Sequence, residues 1–202
     1  MPSLDEWDER KRKSLERIAE DSEVGYLDER VTPLLRKINE RPGLYTTSSC
    51  SGRVVVIDAP APWVRGEGGV VFKKHDELEV EELRRLLATE PAHIYWLNAA
   101  GPIIHVMARS LEDARDLLEA ARRAGFKHSG IVSVSKRGFL VELVCSAQMI
   151  VPVKSKGKAL VYEERLGELV ELVNSTLREG WRRLDALLEE LERSPAGRRD
   201  AD

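Results

Sequence analysis

Eight consecutive residues, Thr46-Thr47-Ser48-Ser49-Cys50-Ser51-Gly52-Arg53, set five hydroxyls, a thiol, a glycine and an arginine side by side with no large apolar residue among them. Such a run supplies hydroxyl and amide donors, and Arg53 adds a planar fork for a phosphate or a carboxylate. Gly52 permits a positive φ or a close approach to the backbone. The composition reads as a polar turn rather than a packed strand, feeding the apolar, β-branched strand Val54–Ile57. Two readings stay open from composition alone: a binding turn, or a plain serine-rich connection with Cys50 as a small core residue.

The other candidates are polar residues that interrupt apolar patterns. His105 stands between Ile104 and Val106, and an imidazole in an apolar strand requires either a hydrogen-bond partner or a chemical task. His75 and Asp76 follow the run Val70-Val71-Phe72, where they line a cleft or face solvent. Asn174, among Val170, Val173 and Leu177, either reads an amide or base edge or satisfies a buried carbonyl. Asp28 suits a helix cap better than a base. Cys50 has no histidine adjacent in sequence to make it a nucleophile.

Common signatures are missing: no G-x-G-x-x-G after a strand, no P-loop, no H-E-x-x-H and no G-x-S-x-G. A cofactor bound by this chain is therefore not held by the usual glycine fingerprint. Two distant cysteines and four scattered histidines, with no C-x-x-C pair, argue for reduced thiols and against a metal site.

These residues must be positioned by helices and strands whose spacing is legible. An amphipathic helix is expected over Ser3–Glu20, with Leu4, Trp7, Leu15 and Ile18 inward, then a linker over Asp21–Tyr26. A second helix carries Val31, Leu34, Leu35 and Ile38, and Thr32 as its cap with Pro33 following suits it better than Asp28. After the strand at Val54 come a Pro/Gly-rich loop, a short strand at Val70–Phe72 and a helix carrying Val80, Leu83, Leu86 and Leu87. Strands follow at Ile94–Leu97 and Ile103–Met107, then a helix capped by Ser110 and stopped by Gly125. Three further strands are expected: Ile131–Ser135, Phe139–Cys145 and Met149–Val153. Glu142 is the single charge on the middle one, which predicts cover on both of its faces. A long helix carries Leu166 through Leu191, and the tail from Ser194 is expected to be disordered.

Helix, turn and paired strands recur from Val31 to Phe72 and from Leu111 to Val153. The predicted fold is α+β, a two-layer sandwich with a largely antiparallel or mixed sheet, built as two related halves and closed by the long C-terminal helix. With 202 residues, one domain over 1–193 and a tail over 194–202 is the expected organisation. The net charge of -3 is unremarkable, but between Arg122 and Tyr162 eight basic residues face one acid, Glu142, a local net charge of +7. That region reads either as solvated surface or as a phosphate-tracking face. No apolar run is long enough to cross a bilayer and there is no apolar leader, so a soluble, cytoplasmic protein is expected.

The ordered features resemble the tRNA wybutosine-synthesizing protein 3 family. They are Asp21, Gly25 and Asp28; Asn39; the Thr46–Arg53 run; His75-Asp76; Ile104-His105-Val106; Ala124-Gly125-Phe126 with Ser129-Gly130-Ile131; and Val151-Pro152 with Asn174. The resemblance extends from about Trp7 to Leu191, and Ser-Ser-Cys-Ser-Gly-Arg is its most specific part. Where members carry a tryptophan near the His75 position, this chain has Lys74 and Phe72. The resemblance implies an S-adenosylmethionine-dependent methyltransferase acting on N4 of the tricyclic wyosine-type guanosine beside the anticodon of phenylalanine tRNA. On that reading His105 is the general base, and Ser48, Ser49, Ser51, Gly52, Arg53, His75, Asp76 and Asn174 bind cofactor or substrate. The tRNA engages the +7 region, and a monomer is favoured. The rivals are a non-catalytic RNA-binding module and an enzyme acting on a phosphorylated metabolite.

Overall fold

The computed structural model describes residues 2–23, 28–64 and 66–193. They form two compact units. The first is drawn from the residues up to Ser51, from Pro102–Ser146 and from Trp181 onward; the second from Gly52–Gly101 and Ala147–Gly180.

In the first unit the strands β1 (Leu44–Cys50), β5 (Ile103–Ala108), β6 (Gly130–Ser135) and β7 (Gly138–Val144) form an antiparallel sheet in the order β1-β5-β7-β6. Helices α1 (Leu4–Glu23) and α2 (Thr32–Asn39) pack on β1, and α4 (Leu111–Arg123) packs on β5 and β7. One sheet face carries the core: Ile104, Val106, Ala108, Val141 and Leu143 are fully buried. The alternate residues Ile103, His105, Met107, Leu140, Glu142 and Val144 are only half-buried. The expected double cover of the Glu142 strand is therefore corrected: helices fill one side, and the other stays partly open.

The larger correction concerns the hydroxyl run. Thr46 to Cys50 is strand rather than turn, and only Ser51 and Gly52 link it to β2 (Arg53–Ala59). A polar sequence is tolerated because β1 is an edge strand whose one strand partner among the described residues is β5. Its edge is covered by side chains. The Asn39 amide donates to Leu35 O (2.7 Å) and Thr46 Oγ1 (2.8 Å) and accepts from Thr46 N (3.0 Å), while Ser14 Oγ donates to Thr46 O.

Helix starts follow the local chemistry with one exception. Ser110 Oγ accepts from Asp113 N at 3.0 Å and Ser110 N donates to Asp113 Oδ2 at 3.1 Å, the reciprocal box expected at the head of α4. Gly125, at φ +93, ends the helix. At α2 the cap position is Val31, with Pro33 in the first turn and no side-chain cap; Thr32 is already helical, and its hydroxyl donates to Asp28 O (3.2 Å). Helix α1 continues to Glu23, beyond the linker start expected at Asp21. The remainder of that linker, Gly25 and the tail from Ser194 lie outside the described residues.

In the second unit, β2, β3 (Gly69–Lys74), β4 (Ile94–Ala100), β8 (Gln148–Ser155) and β9 (Lys158–Ala159) form an antiparallel sheet in the order β3-β2-β4-β8-β9. It is accompanied by α3 (Val80–Leu87) and by α5 (Leu166–Arg193) as far as Gly180; α5 is the long C-terminal helix. The α+β class and the antiparallel pairing are as expected, here with two sheets. Among the described residues no helix is long and apolar enough to cross a membrane.

Lys154, counted above in the +7 region, is 4% exposed. Its ammonium donates to Leu87 O (2.9 Å), Thr89 O (2.8 Å) and Glu90 Oε1 (2.8 Å), closing the carboxyl end of α3 where a cation suits the dipole. It is a structural cation, withdrawn from any phosphate-tracking surface. Lys154→Met should destabilise the protein by about 2–3 kcal/mol in urea unfolding, because buried carbonyls lose a charged donor. A loss below about 0.5 kcal/mol would contradict that role.

Candidate functional site

The half-open face of the first unit's sheet carries one polar row. Ser48 on β1, His105 on β5 and Glu142 on β7 are directly opposite one another in register. Ser48 Oγ lies 2.9 Å from His105 Nδ1, and His105 Nε2 lies 3.0 Å from Glu142 Oε1. The row exists because the ladder register stacks three polar side chains across adjacent strands. A bulge between Thr46 and Ser48 shifts the β1 register, so that Ser48 stands opposite the histidine.

His105 is thus not sealed among Ile104 and Val106. Its neighbours point into the core, and it points the other way, with 28% of its side chain exposed. The imidazole touches a hydroxyl on one nitrogen and a carboxylate on the other, an arrangement that can take up one proton and hold it.

The remaining expected residues separate. Thr47 Oγ1 donates to His105 O (3.3 Å). Ser49 is half-buried, opposite Ile104. Ser51 is fully buried, its hydroxyl donating to the Asp28 carboxylate, so Asp28 is an acceptor for a serine rather than a helix cap. Ser48, Ser49, Ser51 and His105 belong to the first unit; Gly52, Arg53, His75, Asp76 and Asn174 belong to the second.

In the second unit Gly52 has φ +119, a conformation that suits glycine. His75 Nδ1 donates to its carbonyl at 3.0 Å. His75, Asp76 and Arg53 are exposed. Asp76 Oδ1 accepts from Glu77 N at 2.8 Å. Asn174 is buried, accepting from Leu78 N (2.8 Å) and donating to Leu78 O (3.0 Å). Of the two uses considered for that amide, the geometry is the satisfaction of buried backbone, which pins the segment after His75 to α5.

Two residues of interest were not marked as candidates from sequence. Glu142 was visible as the lone acid of a basic region, on an apolar strand. Asn98 interrupts the apolar β4 and shares the face of Trp96 and Ala100. Its Oδ1 is buried with no hydrogen-bond partner among the described residues, an acceptor left waiting for a donor. Arg53 is opposite Ala100 on the neighbouring strand, one step along the same face.

Of the basic residues counted above, Arg122, Lys127, Lys136 and Arg137 are exposed in the first unit and Lys156 and Lys158 in the second. Arg123 pairs with Glu190 at 2.6 Å.

Comparison with known proteins adds a second line of evidence. The family model described as Methyltransferase TYW3 matches residues 9–193. A protein of Saccharolobus solfataricus named tRNA(Phe) 7-((3-amino-3-carboxypropyl)-4-demethylwyosine(37)-N(4))-methyltransferase is 36% identical over 189 residues, 93% of this chain and 90% of that one. A relative of the same name from Aeropyrum pernix is 36% identical over 176 residues, covering 87% and 93% of the two chains. Among solved structures, the PH1069 protein from Pyrococcus horikoshii superimposes with a TM-score of 0.86 at 31% identity, over 95% of this chain and 98% of that one.

Proposed function

From the premise that this chain belongs to the Methyltransferase TYW3 family, we propose that it methylates N4 of the 4-demethylwyosine-type base of tRNA(Phe), the reaction in its relatives' names, with S-adenosylmethionine as methyl donor. The observation that carries this reading is the Ser48–His105–Glu142 row on a half-open sheet face. Bound S-adenosylmethionine supplies an electrophilic methyl group on a sulfonium sulfur. The accepting ring nitrogen exchanges its N–H bond for an N–CH3 bond, so a proton must leave, and His105 receives it.

On this reading the nitrogen that does so is Nδ1. An ionised carboxylate only accepts hydrogen bonds, so Nε2 carries the proton shared with Glu142 and Nδ1 is the base. Ser48 donates to Nδ1, and its oxygen can accept from the substrate N–H, passing the proton along. Glu142 then stabilises the imidazolium, and alignment of nitrogen with methyl supplies much of the remaining rate.

The second unit, taken by itself, carries two groups able to hold a ligand. The orphaned Asn98 Oδ1 is an acceptor of the kind an adenine amine requires, and the exposed Arg53 guanidinium suits the amino-acid carboxylate. Ser49 and Ser51 shape the end of β1, and Gly52, His75, Asp76 and Asn174 form the hydrogen-bonded segment beside Arg53. This reading treats 1–193 as one cytoplasmic methyltransferase domain, since the chain passes between the units four times and neither is a continuous segment.

Incubation with labelled S-adenosylmethionine and tRNA from cells lacking this protein, followed by nucleoside analysis, tests the reading. Label is expected in the wyosine-type nucleoside alone. tRNA bound without any label transferred would identify an RNA-binding module instead.

A further inference from the structure

Gly130 extends the polar row by one strand: it opens β6 directly opposite Glu142. Three ordinary reasons for glycine in a strand do not apply to it. Its φ is not among the positive values. The bulge in β6 lies farther on, between Ile131 and Ser133. A Cβ built on it would meet nothing within 4 Å among the described residues. A strand glycine weakens the strand, and where neither conformation nor packing demands it, the remaining reason is the close approach of a ligand.

The surroundings say what kind of ligand. On the same half-open face the row is flanked by Ile103 opposite Val144 on one side and Met107 opposite Leu140 on the other. These four are aliphatic or thioether side chains, a slippery bed for a flat ring system. Two strand spacings, roughly 10 Å, separate His105 from Gly130, a length suited to three fused rings. The edge holding the reactive nitrogen then meets Ser48 and His105, and the far ring passes over the bare Gly130 backbone.

The geometry points to this face as the platform for the substrate base, with Gly130 as the residue that admits its width. The inference rests on the reading proposed above and adds where the tricycle lies. A side chain at position 130 enters the space proposed for the far ring, and its Cβ meets no atom of the described residues within 4 Å.

Gly130→Val is the direct test, with Gly130→Ala as a smaller change. Affinity would be measured by anisotropy with tRNA(Phe) carrying the 4-demethylwyosine-type base and with the same tRNA carrying plain guanosine. For the modified tRNA, the valine variant should bind about 10- to 100-fold more weakly and the alanine variant about 5-fold more weakly. The unmodified tRNA should bind both variants as it binds the parent, and calorimetry should find binding of S-adenosylhomocysteine unchanged. Equal binding of the modified tRNA by the parent and both variants would remove the platform while leaving the methyltransferase reading intact. Equal weakening on both tRNAs would also overturn it, reassigning Gly130 to a general RNA contact. Failure of the parent to methylate the modified tRNA would strike the underlying reading instead.

Discussion

His105→Ala should lower the single-turnover methylation rate by a factor on the order of 10² or more, with little change in the affinity for tRNA. His105 is the imidazole in the Ser48–His105–Glu142 row, held from both sides at hydrogen-bond distance on a face partly open to solvent. Alanine removes the imidazole but leaves Ile104 and Val106, the buried residues on either side, in place. The loss therefore falls on the chemical step. Single-turnover measurement with saturating donor separates it from product release. An unchanged rate in this variant would take His105 out of the mechanism, and a loss confined to KM would make it a binding group only.

Glu142→Gln should cost a comparable factor, on the order of 10² in kcat, although it is nearly isosteric and should leave stability almost untouched. Glu142 reaches His105 Nε2 at 3.0 Å, so its expected role is to position the imidazole. A carboxylate requires a proton on Nε2 and so keeps Nδ1 open toward Ser48. A carboxamide can turn its NH2 toward Nε2, which moves the imidazole proton to Nδ1 and closes the base. Nitrogen NMR of the labelled imidazole should therefore report the Nε2–H tautomer in the parent and the Nδ1–H tautomer in the variant. Glu142→Asp, which keeps the charge on a shorter arm, should recover part of the rate. An unaltered tautomer together with a normal kcat would reduce Glu142 to a cross-strand contact of the sheet.

The hydroxyl run shows how closely composition and context compete. Its residue types argue for a turn, and an isolated peptide of that sequence has little reason to form a strand. In the fold it becomes β1 because Asn39 and Ser14 occupy its edge and β5 pairs its other side. Those partners are separated from it by 7 and 32 residues for the two side chains, distances that local propensity does not span. Lys154 carries the same lesson for charge: in sequence it belongs with Lys156 and Lys158, and in the fold it is buried on the end of a helix.

What the amino-acid order determined by itself was periodic or local. The amphipathic helices, the β-branched strands, the Ser110 box and the Gly125 stop follow from side-chain spacing and from caps a few residues away, and His105 was marked because it broke such a pattern. Only the tertiary structure decided that His105 meets Ser48 and Glu142, that Asn174 serves the Leu78 backbone, and that Gly130 lies bare at the end of the polar row. The first and last depend on the register of strands far apart in the chain, and the second on α5 meeting a segment 96 residues earlier. A shift of one residue would send every side chain to the opposite face, and that register is set by the bulge in β1 and by the core packed behind the sheet.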